Sequence, residues 1–404
     1  MSFNGHRNSI HTAVNSLESL KEILAIQAMS PIHGDRVVAA FSHAFRIIID
    51  TVPKVNDNFM DLFINRKTKP DPWIENNLAF RAVHRWLLHP PAGLSLHYPE
   101  DDAFLHSDTF REILPIILGT DNSPDDSKFW ADVNWRKVQS NKDRRYLILN
   151  LLRLFPDLSE LLGGDVSVCD VGCSQNQGLK HIALDLPFGD IKLDANSHID
   201  NHDSVQYLLN ETANRAINLT ESVGTDFFPI NDADNREWVM ACSLLPKELK
   251  EPGAREEYEF LESANVESVD FIRSDFANPN DVETQFRDKS FDIVTFFTIL
   301  YQVSDEERRR MFEHALALSK RFILIADAAK VLDNKNVKHP IDSLHFDTAY
   351  FAEDYGYRVF LYDKERPDVG FVELWRMKSG RCESILILED HELALSGIYR
   401  HLRA

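Results

Sequence analysis

A loop of small residues follows the short apolar run Val166-Ser-Val-Cys-Asp. It reads Asp170-Val-Gly-Cys-Ser-Gln-Asn-Gln-Gly, and we select Asp170, Gly172 and Ser174 from it as candidate cofactor-binding residues. Small side chains at a strand-to-helix turn let a nucleoside or a phosphate approach the backbone closely. The plainer interpretation is an ordinary tight turn, and the motif alone does not decide between the two.

Two carboxylates follow later apolar runs in the same way. Asp226 lies in Val223-Gly-Thr-Asp-Phe-Phe-Pro, where a carboxylate can accept hydrogen bonds from two ribose hydroxyls. Asp275 and Phe276 end the segment Arg273-Ser-Asp-Phe, where the acid can accept from the adenine amine and the ring can pack on the base. The alternative for Asp226 is a solvated strand end.

A fourth apolar run, Phe291-Asp-Ile-Val-Thr-Phe-Phe, is followed by Thr298, Tyr301 and Gln302. In a fold that binds a nucleoside at its strand ends, this position faces the group to be transferred. We therefore predict that these three side chains orient a substrate. Core packing is an equally good interpretation of Tyr301 taken alone.

Gln139, Asn141 and Arg145 precede the first apolar run. We predict that this polar cluster covers the binding cleft and that Arg145 pairs with a carboxylate of the ligand or substrate. The alternative is a helix N-terminus that carries surface charges.

Two segments contain the residue types that bind metal ions. One loop rarely supplies a complete coordination shell, so we predict no metal and interpret both segments as hydrated loops, with a metal site or a lid as alternatives. The residues are Asp194, His198, Asp200, His202 and Asp203 in the first segment, and His339, Asp342, His345 and Asp347 in the second.

The candidate residues follow strand-like runs that alternate with helical stretches. Such a pattern predicts a mostly parallel sheet covered on both faces, which binds its ligand at the carboxyl ends of the strands. The last runs have no helices between them, which predicts antiparallel edge strands. The runs are 166–170, 220–226, 268–275, 291–297, 321–327, 357–363, 370–376 and 383–388, with a helix at 305–318 that Ser304 and Glu307 cap.

The first part of the chain shows helical periodicity instead. Val38, Phe41, Ala44, Phe45 and Ile48 recur at helical spacing. We therefore predict an all-α N-terminal domain over residues 1–160 and a Rossmann-like α/β domain over residues 161–404. The link between the first two strands is unusually long, which predicts an insertion at about 185–219.

Composition narrows the function classes. A formal net charge of -20 disfavours nucleic acid as the main partner, because a polyanion is repelled by an acidic surface. The four cysteines are too few for a disulfide framework and form no C-x-x-C pair, which predicts a reducing compartment. No apolar run approaches the about 20 residues that a membrane helix needs, and no signal peptide is recognisable, so we expect a cytosolic protein.

The four strand ends together resemble class I S-adenosylmethionine-dependent methyltransferases. More closely, residues 78–388 resemble a bacterial family catalogued as a domain of unknown function, whose C-terminal half is methyltransferase-like. The segments that carry the resemblance are Ala82-Val-His-Arg-Trp-Leu-Leu, Leu96-His-Tyr-Pro, Val138-Gln-Ser-Asn-Lys-Asp-Arg-Arg, Asp170-Val-Gly-Cys-Ser, Gly224-Thr-Asp-Phe-Phe-Pro-Ile-Asn-Asp and Glu373-Leu-Trp-Arg-Met-Lys-Ser-Gly-Arg-Cys.

The resemblance implies S-adenosylmethionine as cofactor and methylation of a small molecule. Asp226 would bind the ribose, Asp275 the adenine, and Gly172 and Ser174 would line the methionine end. The chain departs from the family where Asn176 replaces a glycine and where Phe297-Thr298 replaces a His-Ser pair. These departures leave open a non-catalytic or regulatory protein that keeps the fold, and the histidines leave open a metal-dependent enzyme.

Overall fold

The computed structural model describes residues 17–29, 36–53, 57, 72–89, 114, 132–133, 143–230, 232–249, 251–332, 337–378, 380, 382–389 and 391. The chain divides into two compact units, one of residues 1–140 and 231–257 and the other of residues 141–230 and 258–404. This division differs from the expected boundary at residue 160. The chain leaves the second unit after its second long parallel strand and returns before the third.

The described residues of the first unit are mostly helical, and the second unit covers its sheet with helices of its own. None of the described helices is both long enough and apolar enough to cross a membrane. They are α1 (Leu17–Met29), α2 (Arg36–Thr51), α3 (Pro72–Leu88), α4 (Leu147–Leu151), α5 (Pro156–Leu161), α6 (Gln177–Ala183), α7 (His202–Ala213), α8 (Ala233–Ser243), α9 (Pro246–Leu249), α10 (Ala254–Ser263), α11 (Pro279–Gln285) and α12 (Asp305–Leu318).

The first unit has its own apolar core, and α8 contributes to it although it lies far along the chain. Phe41 stacks on Phe45 with ring centroids 5.2 Å apart, and Trp238 of α8 joins the same cluster with no exposed surface. Polar contacts reinforce the packing, because Arg81 of α3 donates a 3.0 Å hydrogen bond to the carbonyl of Ala241. These contacts explain why the segment after residue 230 groups with the N-terminal helices.

One buried arginine also ties α3 to α8. The guanidinium of Arg85 bonds Asp132 at 2.9 Å and Glu237 at 2.8 Å, and it contacts Asp234 as well. A guanidinium buried in this way needs carboxylate partners, because an unpaired charge in the interior is costly. The ion pairs therefore hold the helix from the middle of the chain to the N-terminal helices.

The second unit is built on strands that match the predicted runs closely. The first run is divided into two strands, and short strands β3, β4, β9 and β10 are additional. The bounds are β1 (Asp165–Val166), β2 (Val168–Val171), β3 (Lys192–Leu193), β4 (Asn218–Leu219), β5 (Ser222–Asp226), β6 (Val269–Arg273), β7 (Phe291–Phe297), β8 (Ser319–Asp327), β9 (Ala329–Val331), β10 (Leu344–Phe346), β11 (Tyr357–Asp363), β12 (Phe371–Met377) and β13 (Ser384–Leu386).

Nine of these strands form one sheet in the order β3-β13-β12-β11-β8-β7-β2-β5-β6. The five strands from β6 to β8 are parallel to their neighbours. β11 runs antiparallel to β8 and β12, and β12 runs antiparallel to β13. This arrangement confirms the predicted Rossmann-like sheet, with mostly parallel strands and antiparallel C-terminal edge strands.

Side chains of the central strands alternate between two apolar clusters, one on each face of the sheet. Along β7, Ile293 and Phe297 belong to the cluster that includes α4, α6 and α7, whereas Val294 and Phe296 belong to the cluster beneath α11 and α12. This alternation is the pleat of a strand that is buried on both faces. The parallel strands are therefore fixed in register, and their carboxyl ends lie along one edge.

The long link between β2 and β5 adds structure at the far end of the sheet. β3 pairs with β13, and α7 buries Val205 and Leu209 against the main apolar cluster. His202 contacts the carbonyl of Asp194 at 3.0 Å, and the Tyr355 hydroxyl donates to the Asp194 carboxylate. The predicted insertion thus contributes an edge strand and a packed helix.

Candidate functional site

The carboxyl ends of β6, β5, β2 and β7 lie side by side, and we call this part of the sheet the carboxyl edge. Val171 is paired with Thr225 on one side and with Phe296 on the other, and Asp226 is paired with Arg273. The loops that carry the predicted residues therefore leave the sheet at adjacent positions. This juxtaposition follows from parallel pairing and is where open α/β sheets bind their ligands.

The loop after β2 has the backbone of a glycine-rich turn with fewer glycines. Gly172, Ser174 and Asn176 have φ values of +76°, +55° and +58°, in the left-handed region. The amides of Gly172 and Cys173 donate to the carbonyl of Thr225 at 2.8 and 3.2 Å, which holds the turn against β5. Ser174 and Asn176 thus adopt a conformation that glycine would adopt at lower cost.

Asp226 joins the first two loops of the edge. One carboxylate oxygen accepts from the amide of Ser174 at 3.0 Å and the other from the amide of Phe228 at 3.1 Å. Asp226 is only partly buried, so part of its side chain reaches the surface of the edge. Its position suits the predicted contact with ribose hydroxyls.

Asp170 differs from Asp226 because it lies inside the fold. It is 1% exposed, and its two oxygens accept from the hydroxyls of Tyr146 and of Thr295, the latter at 2.6 Å. Burial raises the pKa of Asp170 to about 6, against the lowering effect of the two hydrogen bonds. The structure thus gives this predicted cofactor ligand an internal role, in which it binds Tyr146 to the middle of the sheet.

The third loop separates its two predicted residues. Asp275 is partly buried at the edge, and one of its oxygens accepts from the amide of Ala277 at 3.0 Å. Phe276 is 4% exposed and makes edge contacts with Phe286, Phe296 and His314. Its ring therefore lies in the core beneath α11 and α12, and the expected stacking on a base does not agree with this packing.

Phe227 is an exposed aromatic residue on this part of the edge, and the sequence pattern did not identify it as a candidate. It directly follows Asp226 and is 56% exposed. The guanidinium of Arg273 lies 5.9 Å from the centre of its ring and donates to its carbonyl at 3.1 Å. The sequence signal that points to Phe227 is its position as an aromatic residue immediately after the acid at the end of a strand.

The fourth loop carries Thr298, Tyr301 and Gln302 close to one another. The Gln302 amide nitrogen donates to the carbonyl of Thr298 at 3.0 Å, and residues 300–302 form a 3-10 turn. The buried carboxylate of Asp327, at the end of β8, accepts from the amides of Leu300 at 2.8 Å and Tyr301 at 3.3 Å. Burial raises the pKa of Asp327 to about 6. The sequence offered Asp327 only as the last residue of a predicted strand.

Arg145 contacts this fourth loop. Its guanidinium donates to the carbonyl of Phe297 at 3.2 Å, to the hydroxyl of Thr298 and to the carbonyl of Gly380 at 3.0 Å. Gln139 and Asn141, which were predicted to act with Arg145, lie outside the described residues. The arginine is thus a member of the site, at the end of the edge that faces the antiparallel strands.

Four buried polar atoms at the ends of β2, β5 and β6 have no hydrogen-bond partner in the described structure. They are Gln175 Nε2, Asn176 Oδ1, Thr225 Oγ1 and Ser274 Oγ, on residues that are at most 3% exposed. A buried polar group without a partner costs about 1–3 kcal/mol and requires an explanation, such as a ligand or water. These four atoms lie at the ends of adjacent strands, where a ligand with hydroxyl and amine groups would offer them partners.

The two histidine-containing segments form no metal site among the described residues, in which no group of three or more potential ligands occurs. The Asp342 carboxylate pairs with Arg309 at 2.8 Å, and the His345 ring contacts the Tyr350 hydroxyl at 2.8 Å. The side chains of Asp342 and His345 thus have other partners.

Comparisons with known proteins find similarity only to solved structures, which have low sequence identity to this chain. No family model matches the chain, and no curated protein matches it. Among solved structures it is similar to the plantazolicin methyltransferase BpumL in complex with a monoazolic desmethylPZN analog and SAH, with 16% identity and a TM-score of 0.25 over 55% of this chain and 61% of that one. It is also similar to an O-methyltransferase family protein from Burkholderia thailandensis, with 12% identity and a TM-score of 0.30 over 81% of this chain and 71% of that one. The chain spans about three fifths of the length of the BpumL structure.

Proposed function

We propose that this protein is a methyltransferase that binds S-adenosylmethionine along the carboxyl edge and methylates a small molecule. The observation that carries the proposal is the set of buried, unpartnered polar atoms at the ends of β2, β5 and β6, next to the partly open carboxylate of Asp226. An adenosyl group offers ribose hydroxyls and an adenine amine, which complement such atoms.

Each part of the edge has a role in this proposal. Asp226 binds the ribose, Asp275 accepts from the adenine amine, and the loop that holds Gly172 and Ser174 lines the amino-acid end. Phe227 replaces Phe276 as the aromatic residue available to the base, because only Phe227 exposes its ring. The residues of the fourth loop orient the acceptor.

The cofactor would supply an electrophilic methyl group on a sulfonium, so the protein mainly has to align the acceptor with it. Thr298, Tyr301 and Gln302 are held in one turn by the Asp327 carboxylate, which fixes their position before a substrate arrives. Membership of the bacterial family that the sequence resembles, and a cytosolic location, belong to the same proposal.

Calorimetric titration with S-adenosylhomocysteine, the product of the donor, tests the proposal. We expect the wild-type protein to bind it and Asp226→Ala to weaken binding at least about tenfold, because the ribose then loses a charged acceptor. The matched control is Asp368→Ala, an exposed carboxylate after β11 at the opposite edge of the sheet, which should bind normally. Equal binding by both variants would contradict the assignment of Asp226.

A second candidate is a non-catalytic protein that keeps the fold. The observation in its favour is that Asn176 covers Gly224, where a side chain on residue 224 would overlap both Asn176 and Cys173. Asn176 also donates to the carbonyl of Asp270 at 2.9 Å, so it reaches across β5 to β6. A folded wild-type protein that takes up no S-adenosylhomocysteine would support this candidate over the methyltransferase.

A further inference from the structure

The guanidinium of Arg145 has unused donors. The residue is 6% exposed, and its three hydrogen bonds go to neutral oxygens of Gly380, Phe297 and Thr298 through Nε and Nη1. A guanidinium carries five N–H donors, so both hydrogens of Nη2 are without a partner in the described part of the chain. The described residues thus hold the Arg145 guanidinium in the site but leave the two N–H donors of Nη2 without an acceptor.

Arg145 differs in its partners from two other buried arginines of this protein, Arg85 and Arg358. The chain has 64 acidic residues, and the buried guanidinium groups of Arg85 and Arg358 both form ion pairs with them. Arg145 forms none. Burial raises the pKa of Asp170 and the charge of Arg145 opposes this rise, so the two interact at longer range, but both Asp170 oxygens are occupied by hydroxyl donors. A buried cation in this state favours an anionic ligand.

The position of Arg145 indicates which ligand group it serves. It joins the end of β7 to Gly380, which follows β12, and β8 and β11 lie between these two strands. The proposed nucleoside contacts, Asp226 and Asp275, lie on the other side of β7, at β5 and β6. Arg145 therefore lies at the end of the edge that is left for the methyl acceptor.

Aromatic rings accompany the cation on this side. The ring of Tyr301 lies 4.8 Å from that of Phe351, which lies 4.7 Å from that of Tyr357. A side chain at Gly380 would come within 3.1 Å of the Tyr357 ring, so this aromatic group adjoins the residue that Arg145 binds. Rings beside a guanidinium suit a planar molecule with a negative charge.

We infer that Arg145 binds a carboxylate of the methyl acceptor, and that the acceptor is a planar or aromatic acid. This inference rests on the proposed methyltransferase function. The probes are 4-fluorobenzoate and 4-fluorobenzamide, which differ in charge but little in shape, titrated by fluorine NMR with and without saturating S-adenosylhomocysteine. We expect the wild-type protein to bind the acid at least about tenfold more tightly than the amide, because a charge-assisted hydrogen bond is lost with the amide.

Variants of Arg145 separate recognition from structural support. Arg145→Gln should abolish the preference for the acid and leave the weak affinity for the amide, whereas Arg145→Lys should retain part of the preference because the charge remains. Arg153→Gln is the matched control, since Arg153 is 7% exposed and also donates to backbone carbonyls, of Leu162 and Ala216. It should keep the preference of the wild-type protein. Thermal melting by circular dichroism shows whether each variant is folded.

The donor is the other possible source of a carboxylate, and a second titration distinguishes it. Arg145→Gln should bind S-adenosylhomocysteine and 5′-methylthioadenosine, which lacks the amino acid, with affinities like those of the wild-type protein. Loss of affinity for S-adenosylhomocysteine alone would assign Arg145 to the donor and overturn the inference. Equal binding of acid and amide by the wild-type protein would also overturn it. Failure of the wild-type protein to bind S-adenosylhomocysteine would instead refute the proposed function, and the titration of acid and amide without it would still decide whether the anion site exists.

Discussion

At the scale of single residues, the structure distinguishes acids that the sequence presents as equivalent. Asp170 and Asp226 both end an apolar run, yet Asp170 is enclosed by hydroxyl donors and Asp226 is partly open. Asp327 resembles Asp170 in being fully buried, although its hydrogen-bond donors are backbone amides. The two internal acids hold the loops in place, whereas Asp226 keeps part of its side chain exposed.

The buried carboxyl of Asp170 predicts a pH-dependent stability. Its pKa rises from 3.8 to about 6 on folding, so the folded state holds the proton more tightly than the unfolded chain. The free energy of unfolding, relative to that of Asp170→Asn, should therefore fall by about 2 kcal/mol between about pH 4.5 and about pH 7. Urea unfolding of both proteins at the two pH values measures this change.

Asp363→Asn provides the control for this measurement. Burial raises the pKa of Asp363, but the hydrogen bonds from Arg321 and neighbouring groups lower it below its ordinary value overall. Its stabilising charge is therefore already present at about pH 4.5, and the difference from the wild-type protein should stay nearly constant up to about pH 7. A constant difference for Asp170→Asn as well would show that Asp170 is not a strongly buried acid.

At the scale of elements, the connection from β7 to β8 organises the fourth loop. It contains the 3-10 turn with Tyr301 and then α12, which begins with a complete capping box. Ser304 and Glu307 exchange hydrogen bonds between their side chains and backbone amides, at 2.8 and 3.3 Å. The capped helix therefore starts at a fixed residue and limits the length of the loop that carries the candidate substrate contacts.

Removal of this cap should have a small and specific cost. Ser304→Ala should lower the free energy of unfolding by about 1 kcal/mol, because the amide of Glu307 loses its acceptor. Ser304→Thr should be nearly as stable as the wild-type protein, since threonine also forms the capping box. Urea unfolding at pH 7 compares the three proteins, and equal losses for alanine and threonine would argue against a capping role.

At the scale of the whole molecule, the chain forms two compact units that do not follow its linear order. Trp238 lies in the helical core of the first unit, although residues 141–230 of the second unit precede it. Trp375 lies in the main cluster of the sheet. Both indoles are at most 1% exposed, which makes them a matched pair for testing the division.

Hydrogen exchange measured by mass spectrometry tests this division. Trp238→Ala should cost about 3–5 kcal/mol and reduce protection in α1–α3 and α8, because it opens a cavity in the helical core. Trp375→Ala should reduce protection in the strands of the sheet. If both variants reduce protection in the same elements, the division into two units is wrong.

The sequence by itself determined the elements that depend on local patterns. Apolar runs located β2, β5–β8 and β11–β13 to within a few residues, and the capping residues located α12, whereas the short strands β3, β4, β9 and β10 lay outside the runs. Parallel order then brought the predicted strand ends to one edge. These features follow from hydrogen bonding and burial along the chain, which neighbouring residues encode.

Only the tertiary structure decided which side chains face the edge. The partners of Asp170 are 24 and 125 residues away, at Tyr146 and Thr295, so no local pattern shows that its carboxylate is occupied. Phe276 lies in the core and Phe227 at the surface because α11 and α12 cover one and not the other. The assignment of residues 231–257 to the helical unit likewise depends on long-range packing. Burial of a side chain is a property of all the elements packed around it, and its own segment supplies only a part of them.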